Sequence, residues 1–394
     1  MASVNGLVDS PPGSDPEFLE HVRQIATEVA SANADAVDRD ARFPVEAVTA
    51  MREAGLLSAY VPAELGGRGI SMHALSQACY ELGRRCSASA MVFAMHQIQI
   101  STMVRHLDGS PWYERYLQRV AAEQRLVASV TSEIGTGGDM GRSIAPVTPG
   151  EGGRLTLVKQ APTVSYGAYA DDLFTTVRRS AEAEEVDQVL VLHHSDDTEL
   201  EPAGTWDTIG MRGTCSPGFI VRASFDPAQV LAAPFSTVMC ESHVPISHIL
   251  WSHVWLGIAT EAFERGRAFV RAAARRAPGK PVPAAHNLSR VMSELAMLRA
   301  EVRSALTEFD SADRDSLSTI AQMLRFNNLK LAASEQSPRV CSQVLEVIGI
   351  MAYKNDSPFG VGRQLRDALS ARLMVANERI HSVDAGLLML AKEV

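Results

Sequence analysis

The stretch best equipped for chemistry is residues 129–142, SVTSEIGTGGDMGR. An apolar β-like run, residues 126–130, feeds a loop carrying Gly135, Gly137, Gly138 and Gly141. Glycine tolerates positive φ and lets a flat or anionic ligand come close to the main chain. Ser132, Glu133 and Asp139 add hydroxyl and carboxylate groups beside that bare backbone. No Gly-Lys-Ser/Thr follows, which excludes a Walker loop, and no strand–helix–strand unit surrounds it as a dinucleotide fingerprint requires. A second set is Glu241 with His243, His248 and His253. Imidazole titrates near neutrality and suits proton transfer. These histidines lack zinc-protease spacing, and Cys79, Cys86, Cys215, Cys240 and Cys341 form no CxxC, so no metal site and no disulfide framework is expected.

Three textures along the chain must position these groups. Residues 17–125 read as a helical domain, with Phe18, Val22, Ile25, Val29 and Ala32 at helical spacing and an apolar helix over 89–107. The stretch LSAYVP, residues 57–62, reads as strand-like. Residues 126–240 carry short β-branched runs between turns, which predict a small β-barrel or sandwich. Residues 241–394 return to long helices. Leu288, Val291, Leu295, Leu298, Val302, Ala305 and Phe309 alternate three and four apart, the stripe of a four-helix bundle. Separate helices are expected over 316–334 and 338–348, and one unbroken helix over 364–391. Residues 1–16, rich in Pro, Ser, Gly and Asp, read as a disordered tail.

The 394 residues, 46% hydrophobic and 21% charged, describe a globular chain of roughly two or three domains. A net charge of −9 argues against nucleic acid as partner. The N-terminus lacks a secretion signal's basic and apolar regions, and no apolar run reaches membrane-spanning length. Scattered cysteines, odd in number, fit a reducing cytoplasm.

Helices, then β, then helices, together with short motifs in order, resembles the acyl-CoA dehydrogenase family of flavoproteins. The resemblance covers nearly the whole chain from Glu17. AGLLSAYVPAELGGRGIS is similar to the family's Gly-Leu…Pro-Glu…Gly-Gly-x-Gly segment. Residues 132–139, SEIGTGGD, resemble the flavin-edge loop Thr-Glu-Pro-Gly-Ala-Gly-Ser-Asp, with Ile134 for its proline and Gly138 for its serine. TWDTIGMRGTCS, residues 205–216, resembles Leu-Gly-Met-Arg-Gly-Thr-x-Ser. The resemblance implies an α+β multidomain fold: N-terminal α-helical domain, middle β-barrel, C-terminal four-helix bundle. It implies FAD between the β-domain and the bundle, with the ring edge against Ser129, Val130, Thr131, Ser132 and Thr163, and Gly137, Gly138 and Asn377 close by. Arg275 would be the flavin-phosphate residue, with Gln343 and Gly349 on the adenine side. A homotetramer or homodimer packed through the bundles is implied too.

The family's base is a glutamate facing the ring across an acyl thioester. Lined up on Arg366-Asp367-Ala368, its position holds Val375, followed by Ala376 and Asn377. Relatives that carry the glutamate early in the first bundle helix would place it near Ser247. Three readings follow. In the first, the base has moved, to Glu378 or His248 with Glu241 also near, and the protein dehydrogenates an acyl thioester carried on coenzyme A or a carrier protein. An electron-transfer partner or oxygen is the acceptor, and Arg142, Arg154 and Arg212 are candidates for the carrier's phosphates. In the second, the protein is a flavin-dependent monooxygenase, with His96, Ser132 and His248 available to the bound oxygen. In the third, it is a non-catalytic or half-site flavin subunit of a hetero-oligomer. Dehydrogenation is the expectation carried forward.

Overall fold

The computed structural model describes residues 15–391. The tail expected over 1–16 therefore lies outside the described residues as far as residue 14. Pro16 already opens a helix, capped by Asp15, whose carboxylate accepts the Phe18 N–H at 3.0 Å.

The first layer holds α1 (Pro16–Gln24), α2 (Ser31–Arg39), α3 (Val45–Glu53), α4 (Met72–Gly83), α5 (Ser87–Arg105) and α6 (Pro111–Glu123). The segment LSAYVP is turned rather than extended. Its neighbouring carbonyls are spoken for by side chains of α5: Gln97 donates to Leu56 and Leu57, and His96 Nε2 donates to Leu57 at 2.7 Å.

Seven strands follow: β1 (Val127–Val130), β2 (Thr148–Pro149), β3 (Leu155–Ala161), β4 (Asp172–Arg178), β5 (Gln188–His194), β6 (Thr198–Pro202) and β7 (Phe219–Phe225). They form two sheets, β1-β4-β5 and β2-β3-β7-β6, so the expected barrel is not closed. β1 pairs parallel with β4, Ser129 opposite Phe174, and its other edge is left without a strand. β7 alternates, turning Phe219, Val221, Ala223 and Phe225 inward.

The helical return comprises α7 (Phe235–Val238), α8 (Val244–Arg276), α9 (Pro283–Ser311), α10 (Ile320–Ile348), α11 (Ile350–Tyr353), α12 (Gly362–Leu369) and α13 (Asn377–Leu388). α8 is the spine, buried almost continuously from Pro245 to Thr260. It meets α4 closely at two glycines. A Cβ on Gly83 would lie 2.6 Å from the Val254 carbonyl, and one on Gly257 would lie 2.5 Å from that of Tyr80.

Two differences from the sequence expectation bear on the site. α10 runs unbroken through Pro338, although an interior proline costs about 3 kcal/mol of helix. Packing overrides that cost: Val340, Cys341 and Val344 are buried beyond the proline, and Ser337 donates to the Trp255 carbonyl on α8 at 2.8 Å. The helix expected over 364–391, in contrast, breaks between α12 and α13. Val375 there sits at φ 45°, a left-handed conformation that no helix contains and that branched side chains resist.

The three parts meet where two of the sequence motifs converge. Gly210 lies against the Arg366 carbonyl, and Gly213 against Val37 and Ala88, with no room for a side chain at either. Asp367 accepts the Met211 N–H at 2.7 Å, and Arg366 pairs with Asp38. A void of about 10 Å³, the size of a single water, remains between Asp38, Arg212 and Arg363.

Candidate functional site

The open edge of β1 follows from its hydrogen bonds. The Val127 N–H donates to His96 Nδ1 at 3.0 Å, and its carbonyl accepts the Tyr166 hydroxyl at 3.0 Å, both on the side away from β4. Main-chain groups alternate sides along a strand, so the N–H and C=O of Ser129 face that same edge. Just beyond, Ser132 Oγ donates to the Thr163 carbonyl at 2.7 Å and lies 3.4 Å from Thr163 Oγ1. The structure thus brings Ser129, Ser132 and Thr163 to one ledge of amide and hydroxyl groups, while Val130 and Thr131 face elsewhere, the Thr131 carbonyl lying 3.5 Å from Lys159 Nζ. Val130 turns its own carbonyl toward Thr176 of β4 at 3.5 Å.

Glu133 does not reach that ledge. It is buried, accepting the N–H groups of Ala145 at 2.8 Å and Ile144 at 3.2 Å and the Ser143 hydroxyl at 2.7 Å, with Lys159 Nζ 3.5 Å away. Burial pushes the Lys159 ammonium down to about 8, with Glu133 opposing the shift. The carboxylate anchors the glycine loop. Gly137 has open space around it, whereas the Arg379 guanidinium occupies the place where a side chain on Gly138 would stand.

Across from the loop is the Val375 turn. Lys330 of α10, fully buried, donates to the Val375 carbonyl at 2.8 Å and to Asn377 Oδ1 at 2.6 Å. Ser334 donates to Asn377 Oδ1 at 3.2 Å. No carboxylate stands at either position where the sequence resemblance led us to expect a base: one is Val375, and the other, Ser247, is buried with its hydroxyl unpartnered. Glu378, the second residue of α13, is exposed and makes no ion pair, not even with its neighbour Arg379. His248 is buried, with Nδ1 2.9 Å from the Phe326 carbonyl. A carbonyl only accepts, so Nδ1 carries the proton. Burial pushes the ring down to about 3, which keeps it neutral. Glu241 pairs with Arg314 at 3.1 Å. His96 has both nitrogens committed, to Leu57 and Val127, and burial holds it at about 4.

The remaining candidates are scattered. Arg275 is exposed near the end of α8 and unpartnered. Gln343 donates to Glu294 at 3.0 Å while its Oε1 is buried without a partner, and Gly349 caps α10 at φ 73°. Arg142 pairs with Glu185, Arg154 with Asp197, and Arg212 with Asp207 and the carbonyls of Asp38 and Thr208, so each is already engaged. Among the described residues no three His, Cys, Asp or Glu gather as a metal site, and no helix is long and apolar enough to cross a membrane. Lys330 was missed from sequence. The available signal was a lysine at a core-facing position of α10, four residues after Phe326 and four before Ser334.

The residues present fit a flavin. The Ser129 edge matches the donor and acceptor pattern of a pyrimidine-like ring, and the Gln343 oxygen is a buried valence awaiting a donor.

Residues 14–124 match the acyl-CoA dehydrogenase N-terminal domain, and residues 247–380 the C-terminal domain. Cyclohex-1-ene-1-carbonyl-CoA dehydrogenase of Syntrophus aciditrophicus is 24% identical, covering 95% of this chain and 89% of that protein. L-evernosamine nitrososynthase of a Micromonospora species is 27% identical, covering 89% and 85%. Among solved structures, FMN-bound TdsC of a Paenibacillus species superposes with a TM-score of 0.82 at 20% identity, covering 95% of this chain and 97% of that one.

Proposed function

The chain belongs to the acyl-CoA dehydrogenase family, whose cofactor is a flavin, and from that premise we propose that it is a flavin-dependent monooxygenase of a small molecule. One observation carries this reading over acyl-thioester dehydrogenation. The two positions that would hold a proton acceptor are Val375 and Ser247. The substitutes weighed for it fare no better: Glu378 is exposed at the surface, and His248 is buried, neutral and tied to Phe326. Removal of an α-proton needs a base within hydrogen-bond reach; oxygen insertion does not. The scaffold is neutral on the point, since one relative is named a dehydrogenase and another a nitrososynthase.

The Ser129 main chain, the Ser132–Thr163 hydroxyls and the loop at Gly137 and Gly138 hold the flavin ring, and Lys330 and Asn377 fix the opposite wall. A bound reduced flavin supplies the electrons that activate oxygen. Arg275, Gln343 and Gly349 would hold an adenine half if the flavin is FAD, and would lie unused beside FMN. The exposure of Ile350 (67%) and Tyr353 (71%) next to Gly349 supports burial of that end against a second copy, as a homodimer or homotetramer.

The test is to load the protein with flavin and titrate it without oxygen with short, medium and long acyl thioesters. No bleaching of the oxidised flavin is expected. Bleaching by any thioester would return the assignment to dehydrogenation. If the reduced flavin reacts with oxygen no faster than free flavin, the half-site subunit reading takes over.

A further inference from the structure

β3 turns Leu157, Lys159 and Ala161 inward, so a lysine stands in the middle of an apolar row. Its buried side chain bridges the two sheets. Nζ donates to the Thr176 carbonyl of β4 at 2.6 Å and to the Thr176 hydroxyl at 2.9 Å, and lies 3.5 Å from both Glu133 Oε2 and the Thr131 carbonyl. Glu133 is the charged group it faces; Thr176 and Thr131, its neighbours on β4 and just past β1, are neutral. A well-packed apolar pair commonly holds an interior as firmly as a buried ion pair does. What the ammonium adds is a hold on the residues either side of Ser132. The Thr131 carbonyl and the Ser132 N–H belong to one planar trans peptide and point opposite ways. Fixing that carbonyl on Lys159 therefore turns the Ser132 N–H away from the interior. On the other side of Ser132, Glu133 ties the ammonium to the Ser143–Ala145 backbone. The strand that carries Lys159 supplies two more contacts to the same stretch: the Gln160 carbonyl accepts the Ile134 N–H at 2.9 Å, and the Thr163 carbonyl accepts the Ser132 hydroxyl at 2.7 Å.

We propose that Lys159 is a positioning residue for the flavin: through the Thr131 peptide and Glu133 it fixes the amide and hydroxyl of Ser132 in the orientation that meets the ring edge. The inference deepens the reading above by naming the group that aligns the ledge, and rests on it for the location of the ring. A pH dependence follows that packing alone would not give. Burial brings Lys159 to about 8. The protonated lysine is the form that holds the Thr131 carbonyl and balances Glu133. Above that pH the buried carboxylate faces a neutral amine and the ledge slackens. Flavin should bind more tightly below about pH 8 and lose affinity as pH rises through it. Lys330 on the opposite wall titrates in the same range, so the step is assigned by its response to substitutions at Lys159 and Glu133.

The experiment is equilibrium dialysis of the full chain against flavin between about pH 6.5 and 9, a window that brackets the buried lysine. The variants are Ser132→Ala, Glu133→Gln, the pair Lys159→Met with Glu133→Gln, and that pair combined with Ser132→Ala. The paired substitution removes both charges together and strands neither. Wild-type affinity should fall about fivefold across the window, the worth of one hydrogen bond. The paired variant should bind about fivefold more weakly than wild type at the acid end and lose most of the step. In the Ser132→Ala background the same pair should cost only about twofold, because the two changes act on one contact. Glu133→Gln alone removes the charge that opposes the lysine's shift, so its step should move to lower pH, and it takes the pair's place if the pair does not fold. A flat wild-type profile, a step of unchanged size in the paired variant, an unmoved step in Glu133→Gln, or losses that simply multiply with Ser132→Ala overturns the proposal. A step that behaves as expected, in a protein whose reduced flavin meets oxygen no faster than free flavin, would sink the monooxygenase reading alone.

Discussion

Lys330 donates to the main-chain carbonyl of Val375 at 2.8 Å, so a fully buried ammonium holds the turn in which the family's base would sit. Its other partner, Asn377 Oδ1, is also neutral. Lys330→Met would strand the Val375 carbonyl at about 1–3 kcal/mol, while Asn377 Oδ1 keeps the Ser334 hydroxyl at 3.2 Å, and the loss is partly offset by no longer burying a charge. The expected net is a loss of less than about 3 kcal/mol, read as a lower denaturation midpoint, together with weaker flavin binding as the wall loosens. A pH signature should separate charge from packing. Burial pushes Lys330 down to about 8, below an unfolded value of about 10.4. The unfolded chain binds the extra proton between those values, so this residue makes stability rise with pH from 8 toward 10. The Met variant should lose that part of the rise. An identical pH slope in both proteins would show that Lys330 is not titrating in the fold.

Val375 invites the opposite experiment. At φ 45° a branched residue costs about 1–2 kcal/mol, and glycine would shed that cost while losing about 0.5–1 kcal/mol to chain entropy. Val375→Gly should therefore leave stability unchanged or raise it by up to about 1.5 kcal/mol. It should also soften the loss caused by Lys330→Met, because the turn would then need less holding. Additive effects in the double variant would mean that the lysine does not secure the strained residue.

The helix–sheet–helix order was legible because long 3.6-residue stripes, such as Leu288 to Phe309, and short β-branched runs are hard to mistake. The candidate site could be proposed from sequence only where glycine or hydroxyl residues cluster, as at Ser129, Ser132 and Thr163. The wall opposite could not. Residues 364–391 have helical composition throughout, and the break at Val375 is imposed from outside by Lys330, 45 residues earlier in the chain. Pro338 is the converse case, a local signal for a break that burial of α10 overrules. Arg212 shows a third limit. Its motif is real, yet the glycines beside it serve packing between the parts of the molecule, and its guanidinium is consumed by Asp38, Asp207 and Thr208.

Acid should be this fold's weakness. Burial pushes His96, His243 and His253 down to about 4, and His193 and His248 to about 3. Each folded value lies below the unfolded one of about 6.5, so the unfolded chain takes up more protons in between. The stability these rings contribute is present above about pH 6.5 and drains away as pH falls through 4 toward 3. Melting temperature should drop steeply over that window, earlier than carboxylate titration alone would give. His253→Gln, which removes one such ring bonded only within its own helix to Ile249 at 2.8 Å, should shallow the slope by about one proton. A slope unchanged by that variant would mean the ring is solvated and titrates normally.

The Ser132–Thr163 pair makes the sharpest prediction about the ledge. Ser132 Oγ donates to the Thr163 carbonyl at 2.7 Å, so removing the hydroxyl both frees that carbonyl and withdraws a group from the ring edge. Neither residue is buried, and the fold itself should lose less than about 0.5 kcal/mol. Flavin affinity should suffer more. One hydrogen bond lost from the ring edge is worth about 1 kcal/mol, which is roughly fivefold in dissociation constant. Ser132→Ala and Thr163→Val should each show that loss by equilibrium dialysis against flavin, and Thr163→Ser should recover most of it. The double variant should lose less than the product of the two, because the residues share one network. Full affinity in both single variants would move the ring away from β1 and remove the ledge from the site.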